Sequence, residues 1–234
     1  MKNIYIMTWN TGLYREKTLM PICQRYRSII KWVKEYLENQ DAICFLQEIP
    51  YYSNETWEKH TLFLELEKDF PQKDYDIKYN VSSKKQIMMT VVIAKKGTIE
   101  KVDSDSFNSN RILTVKYKDI KITGLHAYHG KDNAKDLENL NSCSSEIVLG
   151  DFNAGNYIEC ENRTIFNHIL KEHVCICNIA TRLEPKNNRR MCVDHVFVQE
   201  QYVTRCRNMI VHENAEFSKL SDHFPLTFEF ILEN

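Results

Sequence analysis

The chain has 234 residues, enough for one large α/β domain, and its 43% hydrophobic and 27% charged residues lie near the averages of soluble globular proteins. This balance excludes a disordered chain, a collagen-like repeat and a coiled-coil rod. With 31 Lys+Arg against 32 Asp+Glu the net charge is −1, so no global basic field exists to grip nucleic acid, and any polyanionic partner has to be met by local positive charge or by a bound metal.

Met1–Asn10 carries one charge and a short apolar stretch, and it reads as a first strand over Ile4–Trp9 rather than as a secretory leader. Apolar residues Ile22, Tyr26, Ile29, Ile30, Val33 and Leu37 recur at helical spacing and predict a helix over Ile22–Glu38. Asp41–Gln47 is a continuously apolar strand. A second helix is expected after Asn54, with Trp57, Leu62 and Leu66 inward. Strands are predicted near Asp76–Val81, Gln86–Ala94, Ile112–Tyr117 and Ile120–His126, then at Glu146–Leu149, Val193–Val198 and Leu226–Leu232. In the last of these Leu226, Phe228, Phe230 and Leu232 share one face.

Helical turns fit Ala134–Leu140 and Thr164–Leu170, while Tyr51-Tyr52, Asp103–Asn110 and Glu184–Arg190 read as loops. One domain over residues 1–234 is the expectation, with β-sheets packed face to face and helices outside. No apolar run approaches the ~20 residues of a membrane span. The eight cysteines show no Cys-x-x-Cys pair; reduced thiols in a cytoplasmic protein are expected, and a zinc site is not.

Strand after strand ends in polar residues of the same kind. The pattern is Trp9-Asn10, Leu46-Gln47-Glu48, Leu125-His126, Leu149-Gly150-Asp151-Phe152-Asn153, Val193-Asp194-His195 and Ser221-Asp222-His223-Phe224-Pro225. Strand ends on a rigid scaffold are where sites are commonly built. Glu48, Asp151 and Asp222, with the amide oxygen of Asn10 or Asn153, form an oxygen-rich set suited to a hard cation such as Mg²⁺. Histidine is then free for proton transfer, and the zinc motif His-Glu-x-x-His is absent.

Thr-Trp-Asn, Leu-Gln-Glu, Leu-His-Ala, Leu-Gly-Asp-Phe-Asn, Val-Asp-His-Val-Phe and Ser-Asp-His-Phe-Pro-Leu occur in this order from about residue 4 to about 232. In this the chain resembles the endonuclease/exonuclease/phosphatase superfamily, which includes deoxyribonuclease I and the exonuclease III type abasic-site endonucleases. The resemblance implies an α/β (α+β) four-layer sandwich of two packed, mainly antiparallel sheets flanked by helices. It also implies Mg²⁺-assisted hydrolysis of a phosphoester by in-line attack of water, with Mn²⁺ as a substitute metal.

Carried over residue by residue, the resemblance makes Glu48 the main metal ligand, with Asn10 close by and Asp222 facing the metal or its waters. Asp151 orients or deprotonates water, and Asn153 donates to the phosphate. His223 is the catalytic imidazole, paired with Asp194. His126 contacts the scissile phosphate or protonates the leaving oxygen, and His129 is either a further contact or solvated. Arg111 is either a phosphate contact or a surface residue. Lys186, Arg189 and Arg190 form a basic loop that either meets phosphate or is solvated. His195 departs from the Tyr often found beside the family Asp. The expected substrate is nucleic acid, with a small phosphate ester (a phosphoinositide, lipid headgroup or nucleotide) as the alternative, and the expected assembly is a monomer.

Overall fold

The computed structural model describes residues 2–15, 20–53, 55–81, 87–102, 110–128, 140, 144–153 and 161–232. The predicted Ala134–Leu140 helical turn, most of the Asp103–Asn110 loop, His129, Cys143, Cys160 and Gln86 lie outside them, Leu140 and Asn110 being the described exceptions.

Two six-stranded sheets carry the fold. The first contains β1 (Lys2–Asn10), β2 (Ala42–Pro50), β3 (Tyr75–Tyr79), β4 (Met88–Lys95), β13 (Cys206–Val211) and β14 (Leu226–Leu232), in the order β13-β14-β1-β2-β4-β3. The second contains β5 (Glu100–Lys101), β6 (Ile112–Tyr117), β7 (Ile120–His126), β8 (Ile147–Asp151), β9 (His173–Cys175) and β12 (Asp194–Gln199), in the order β5-β6-β7-β8-β12-β9. Each sheet has one parallel pair at its centre, β1/β2 and β7/β8, and antiparallel pairs elsewhere. The four central strands therefore end along one edge of the sandwich.

Strand periodicity divides the side chains between the layers. Ile4, Ile6, Ile43, Phe45 and Val92 point from the first sheet into a core shared with Val115, Ile122, Ile147, Leu149 and Val196 of the second. Met7, Trp9, Cys44 and Leu46 face the other way, against α1 (Ile22–Asn39) and α2 (Thr61–Asp69). On the far side Leu125, Val148 and Phe197 pack with Phe166 of α3 (Glu161–Ile169). This gives helix, sheet, sheet, helix, as the sequence implied. The sheets approach so closely at Gly124 that a Cβ there would collide with the Phe45 ring.

Most predicted elements recur within two residues of their expected bounds, and α1 buries the stripe Tyr26, Ile29, Ile30, Val33 and Leu37. Three expectations are corrected. Trp57 is 40% exposed, because the second helix begins only at Thr61, where the His60 ring accepts the Leu62 N–H as an N-cap. Glu184–Arg190 is not a plain loop: β10 (Arg182–Glu184) and β11 (Arg189–Met191) form a hairpin in which Arg190 pairs with Glu213 at 2.6 Å. The edge strand β13 was not expected, since its exposed Arg207 and Asn208 interrupt the apolar pattern. No helix among the described residues is long and apolar enough to cross a membrane.

Candidate active site

The polar residues singled out by the sequence converge at the shared strand edge. Asn10 ends β1, His126 ends β7, Asp151 ends β8 and Asp194 begins the antiparallel β12. His126, Asp151 and Asp194 occupy one row across the second sheet, His126 opposite Asp151 and Asp151 opposite Asp194. From the first sheet, Glu48 enters through a register shift in the β2/β4 ladder between Leu46 and Ile49, with its own φ at +56°. A bulge of this kind re-aims a side chain at the cost of local strain.

Asn10 ties the two sheets together. Its Nδ2 donates to Asp151 Oδ2 at 2.8 Å and to Glu48 Oε1 at 3.2 Å, while its Oδ1 accepts from Gly12 N at 3.1 Å. As placed, the Asn10 amide acts through its nitrogen, as a clamp between two carboxylates. Asp151 Oδ1 accepts from Asn153 N at 2.8 Å in a tight Asx turn, with Asn153 at φ +48°, and Asn153 Nδ2 donates to Ala127 O at 2.7 Å.

His223 Nδ1 lies 2.9 Å and 3.2 Å from the two oxygens of Asp194, and its Nε2 lies 3.8 Å from Asp151 Oδ2. Burial alone would lower the His223 pKa, but Asp194 and Asp151 overcome it and push it up to about 9. Asp151 is pushed up to about 6 by desolvation, with His223 opposing and Asp194 adding to the rise. His126 Nδ1 meets Arg111 Nη1 at 3.2 Å. A guanidinium can only donate, so the ring accepts there and carries its proton on Nε2, which points at Glu48 Oε1 (3.5 Å) and Asp151 Oδ2 (3.7 Å).

Arg111, left open between a surface and a site residue, is 9% exposed and inside the site. Thr90 N, Thr90 Oγ1 and His126 N all bond the backbone carbonyls of Asn110 or Arg111, which holds the guanidinium in place. Asp222 is not among the described residues lining the cavity below; it is gripped by Arg182, whose Nε and Nη2 lie 2.9 Å and 2.8 Å from Oδ2. His195 is fully buried against Phe152 and Phe197, so it is a core residue. Lys186, Arg189 and Arg190 are exposed on the hairpin and do not line the cavity described below.

Three residues that position this site were not singled out from the sequence. Arg182 tethers Asp222, and the hydroxyl of Thr181 accepts both Val193 N (3.2 Å) and Asp194 N (3.0 Å). Fully buried Arg25 donates to the carbonyls of Leu220, Arg15, Thr11 and Gly12 at 2.6–3.0 Å. The only signal for Arg25 was its place on the apolar stripe, three residues after Ile22.

Glu48, Arg111, His126, Asp151, Asn153, Arg182 and His223 line a cavity of about 290 Å³. Glu48 and Asp151 offer buried carboxylate oxygens bridged by a single amide, a donor set that fits a hard divalent cation. The ligand atoms of Asp151, Asp194 and His223 also lie within 4.8 Å of one another. No disulfide joins the described cysteines; Cys23, Cys44, Cys175, Cys177, Cys192 and Cys206 are free.

No family model matches the sequence, and no curated protein matches it. Solved structures do. An AP endonuclease from Archaeoglobus fulgidus aligns with TM-score 0.71 and 18% identity over 99% of this chain and 100% of its own. An endonuclease/exonuclease/phosphatase protein from Bacteroides vulgatus aligns with TM-score 0.71 and 16% identity over the whole of both chains. A 3′ phosphatase, NExo, from Neisseria bound to a product DNA hairpin aligns with TM-score 0.65 and 14% identity over 97% of this chain and 99% of its own. At these identities the likeness establishes the fold. The chain has the deoxyribonuclease I-like fold of these structures.

Proposed function

We propose that the chain is a metal-dependent phosphodiesterase acting on nucleic acid, within a single domain. The observation that carries this reading is the meeting of Glu48 from one sheet with the row His126, Asp151, Asp194 of the other, around a cavity that also holds His223 and Arg111. Negative oxygen donors suited to a cation and positive groups suited to a phosphate face the same space.

The roles follow from this placement. Glu48 would hold the metal, with Asp151 adding negative charge, Asn10 setting the distance between Glu48 and Asp151, and Asp222, paired with Arg182, facing the metal's waters. Mg²⁺, or Mn²⁺ in its place, supplies charge neutralisation at a phosphoryl oxygen when bound. Asp151, with a pKa near 6, is poised to take a proton from water near neutral pH. Asp194 keeps His223 protonated and aims its Nε2 into the cavity, where it stabilises charge on the phosphoryl group. His126 Nε2–H is the donor placed for the phosphate or the leaving oxygen, and Arg111 and Asn153 Nδ2 add phosphate contacts.

The rim supports a nucleic acid over a bare small ester. Arg111 lies 3.9 Å from the ring centre of the 43% exposed Tyr128, and Arg15 lies 4.3 Å from that of Tyr14; all four residues line the cavity. Aromatic and guanidinium groups at a mouth suit a nucleotide chain. The names of several structural neighbours, an AP endonuclease and a 3′ phosphatase bound to DNA, point the same way. Free thiols support a cytoplasmic setting, and we place the protein there as a monomer.

The test is a substrate panel in Mg²⁺: duplex, abasic and single-stranded DNA, RNA, phosphoinositides and sphingomyelin. Cleavage of a polynucleotide is expected. Cleavage confined to a small ester would overturn the substrate class while leaving the chemistry in place.

A further inference from the structure

A second cavity, also of about 290 Å³, adjoins the catalytic one and shares the Tyr14 side chain as a common wall. It is lined further by Pro50, Tyr52, Ser53, Glu55 and His60. We propose that this cavity is a subsite for a single nucleobase, the one flanking the phosphate held at His223, His126 and Arg111. The proposal rests on the reading of the first cavity as a phosphodiesterase site on nucleic acid.

The chemistry of the walls selects the ligand. Glu55 places a carboxylate on the wall of the second cavity, which disfavours a second phosphate beside it. Burial also lowers the His60 pKa, and its Nδ1 is already occupied as acceptor of the Leu62 N–H. The ring is therefore a neutral imidazole with its proton on Nε2. What remains are two aromatic faces, Tyr14 and Tyr52, with a hydroxyl, a carboxylate and an imidazole around them. That combination suits an uncharged, flat, hydrogen-bonding group. A volume at the lower end of the ~300–1,000 Å³ range of ligand pockets has room for one base and not for a run of them.

The aromatic platform is built in advance. Tyr52 stacks edge-on against Tyr51 with ring centres 4.5 Å apart, and Tyr51 stacks on buried Phe63 of α2 at 4.9 Å. The segment between is closed by the Tyr52–Lys59 bridge and by Ser53 N donating to Glu58 O and His60 N to Tyr51 O. Tyr51 N is bonded to Ile87 O, beside Met88 of the catalytic cavity. Glu48 and Pro50 are two residues apart on β2 and open on the two cavities, so the bulge that aims Glu48 also places this wall.

Two readouts test the subsite. The first compares kcat/KM in Mg²⁺ for a short oligonucleotide with the same oligonucleotide carrying an abasic tetrahydrofuran residue on one or the other side of the cleaved phosphate. The second is equilibrium dialysis of adenosine against ribose, with no phosphate present. Wild type is expected to favour the base by about 10-fold or more on one side, as loss of one stacked base predicts. It is also expected to retain adenosine over ribose. Tyr52→Ala brings both preferences to within about 2-fold, and Tyr52→Phe keeps them.

Equal use of intact and abasic substrates by wild type, or a preference that Tyr52→Ala leaves in place, overturns the subsite. Adenosine retention that depends on Tyr52, in a protein that hydrolyses none of the oligonucleotides, supports the subsite and overturns the hydrolase reading instead.

Discussion

Asp151 and Asp194 stand directly opposite each other across the β8/β12 ladder, two carboxylates in a position where like charges destabilise a sheet. The fold tolerates the pair because each has a cationic or donor partner: Asp194 holds His223 Nδ1 at 2.9 Å, and Asp151 accepts from Asn10 Nδ2 at 2.8 Å and Asn153 N at 2.8 Å. Burial raises the Asp151 pKa to about 6 with Asp194 adding to the rise, and the two carboxylates together keep His223 charged against its own desolvation. Both pKa values are raised together, which leaves Asp151 near 6 as the base and His223 near 9 as the acid.

Asp194→Asn removes the charge that holds His223 protonated and leaves the ring position almost unchanged. Turnover on a phosphodiester is expected to fall by about 100-fold or more, comparable to His223→Ala and to Asp151→Asn. Steady-state kinetics of the three variants check this. Near-normal turnover in any one of them removes that residue from the mechanism.

The same pair sets a pH dependence of stability. His223 is raised in the folded chain from 6.5 to about 9, so its contribution is fully present below 6.5 and is lost as pH rises through 9. Asp151 is raised from 3.8 to about 6, so its contribution is likewise lost as pH rises, but through 6. Between pH 6.5 and 9 only the histidine acts. The thermal midpoint of the protein in EDTA is therefore expected to fall across that window, and to fall less in His223→Gln. Equal slopes in the two proteins contradict the assignment.

Arg25→Met strands the four carbonyls that the guanidinium satisfies beneath the Asn10 and Ser221–His223 segments. A loss of about 3 kcal/mol is expected from buried acceptors left without donors, read as a lower urea midpoint. Activity falls with it even where the variant remains folded, because Asn10 and His223 are no longer held.

Gly150 precedes Asp151 with φ at +132°, and a Cβ there would collide with the Leu125 carbonyl. Gly150→Ala is expected to cost about 3 kcal/mol or more, from strain and from separation of β7 and β8. The check is the same urea titration, with Gly97→Ala as a comparison. Gly97 also has positive φ (+73°) but nothing near its Cβ position, so its cost is smaller.

Local pattern carried the strands and α1 because their burial is periodic. Leu226–Leu232 alternates cleanly, and α1 keeps one apolar stripe. Residue type at strand ends carried Asn10, Glu48, His126, Asp151, Asp194 and His223, since a polar group closing an apolar run is unusual enough to notice. The residues that hold them were not legible. Arg182 opens a three-residue strand with Thr181 just before it, and their roles are set by tertiary contacts, Arg182 with Asp222 and His223 and Thr181 with Asp194. Arg25 looks like any helix cation until its four distant carbonyls are known. Arg111 follows a segment with no periodicity, so only the fold could tell a pocket residue from a surface one. Trp57 failed for the opposite reason: an aromatic read as core lies, with φ at +56°, in a turn before the His60 cap.

The central claim, a metal-dependent phosphodiesterase centred on Glu48, is tested most directly by single-turnover cleavage of an end-labelled oligonucleotide. Wild type and Glu48→Gln are treated with EDTA and then returned to Mg²⁺ or Mn²⁺. The account predicts no cleavage in EDTA, recovery of wild type with either ion, and a rate at least about 100-fold lower for Glu48→Gln. Cleavage that survives EDTA, or that is equal in the two proteins with metal restored, would contradict it.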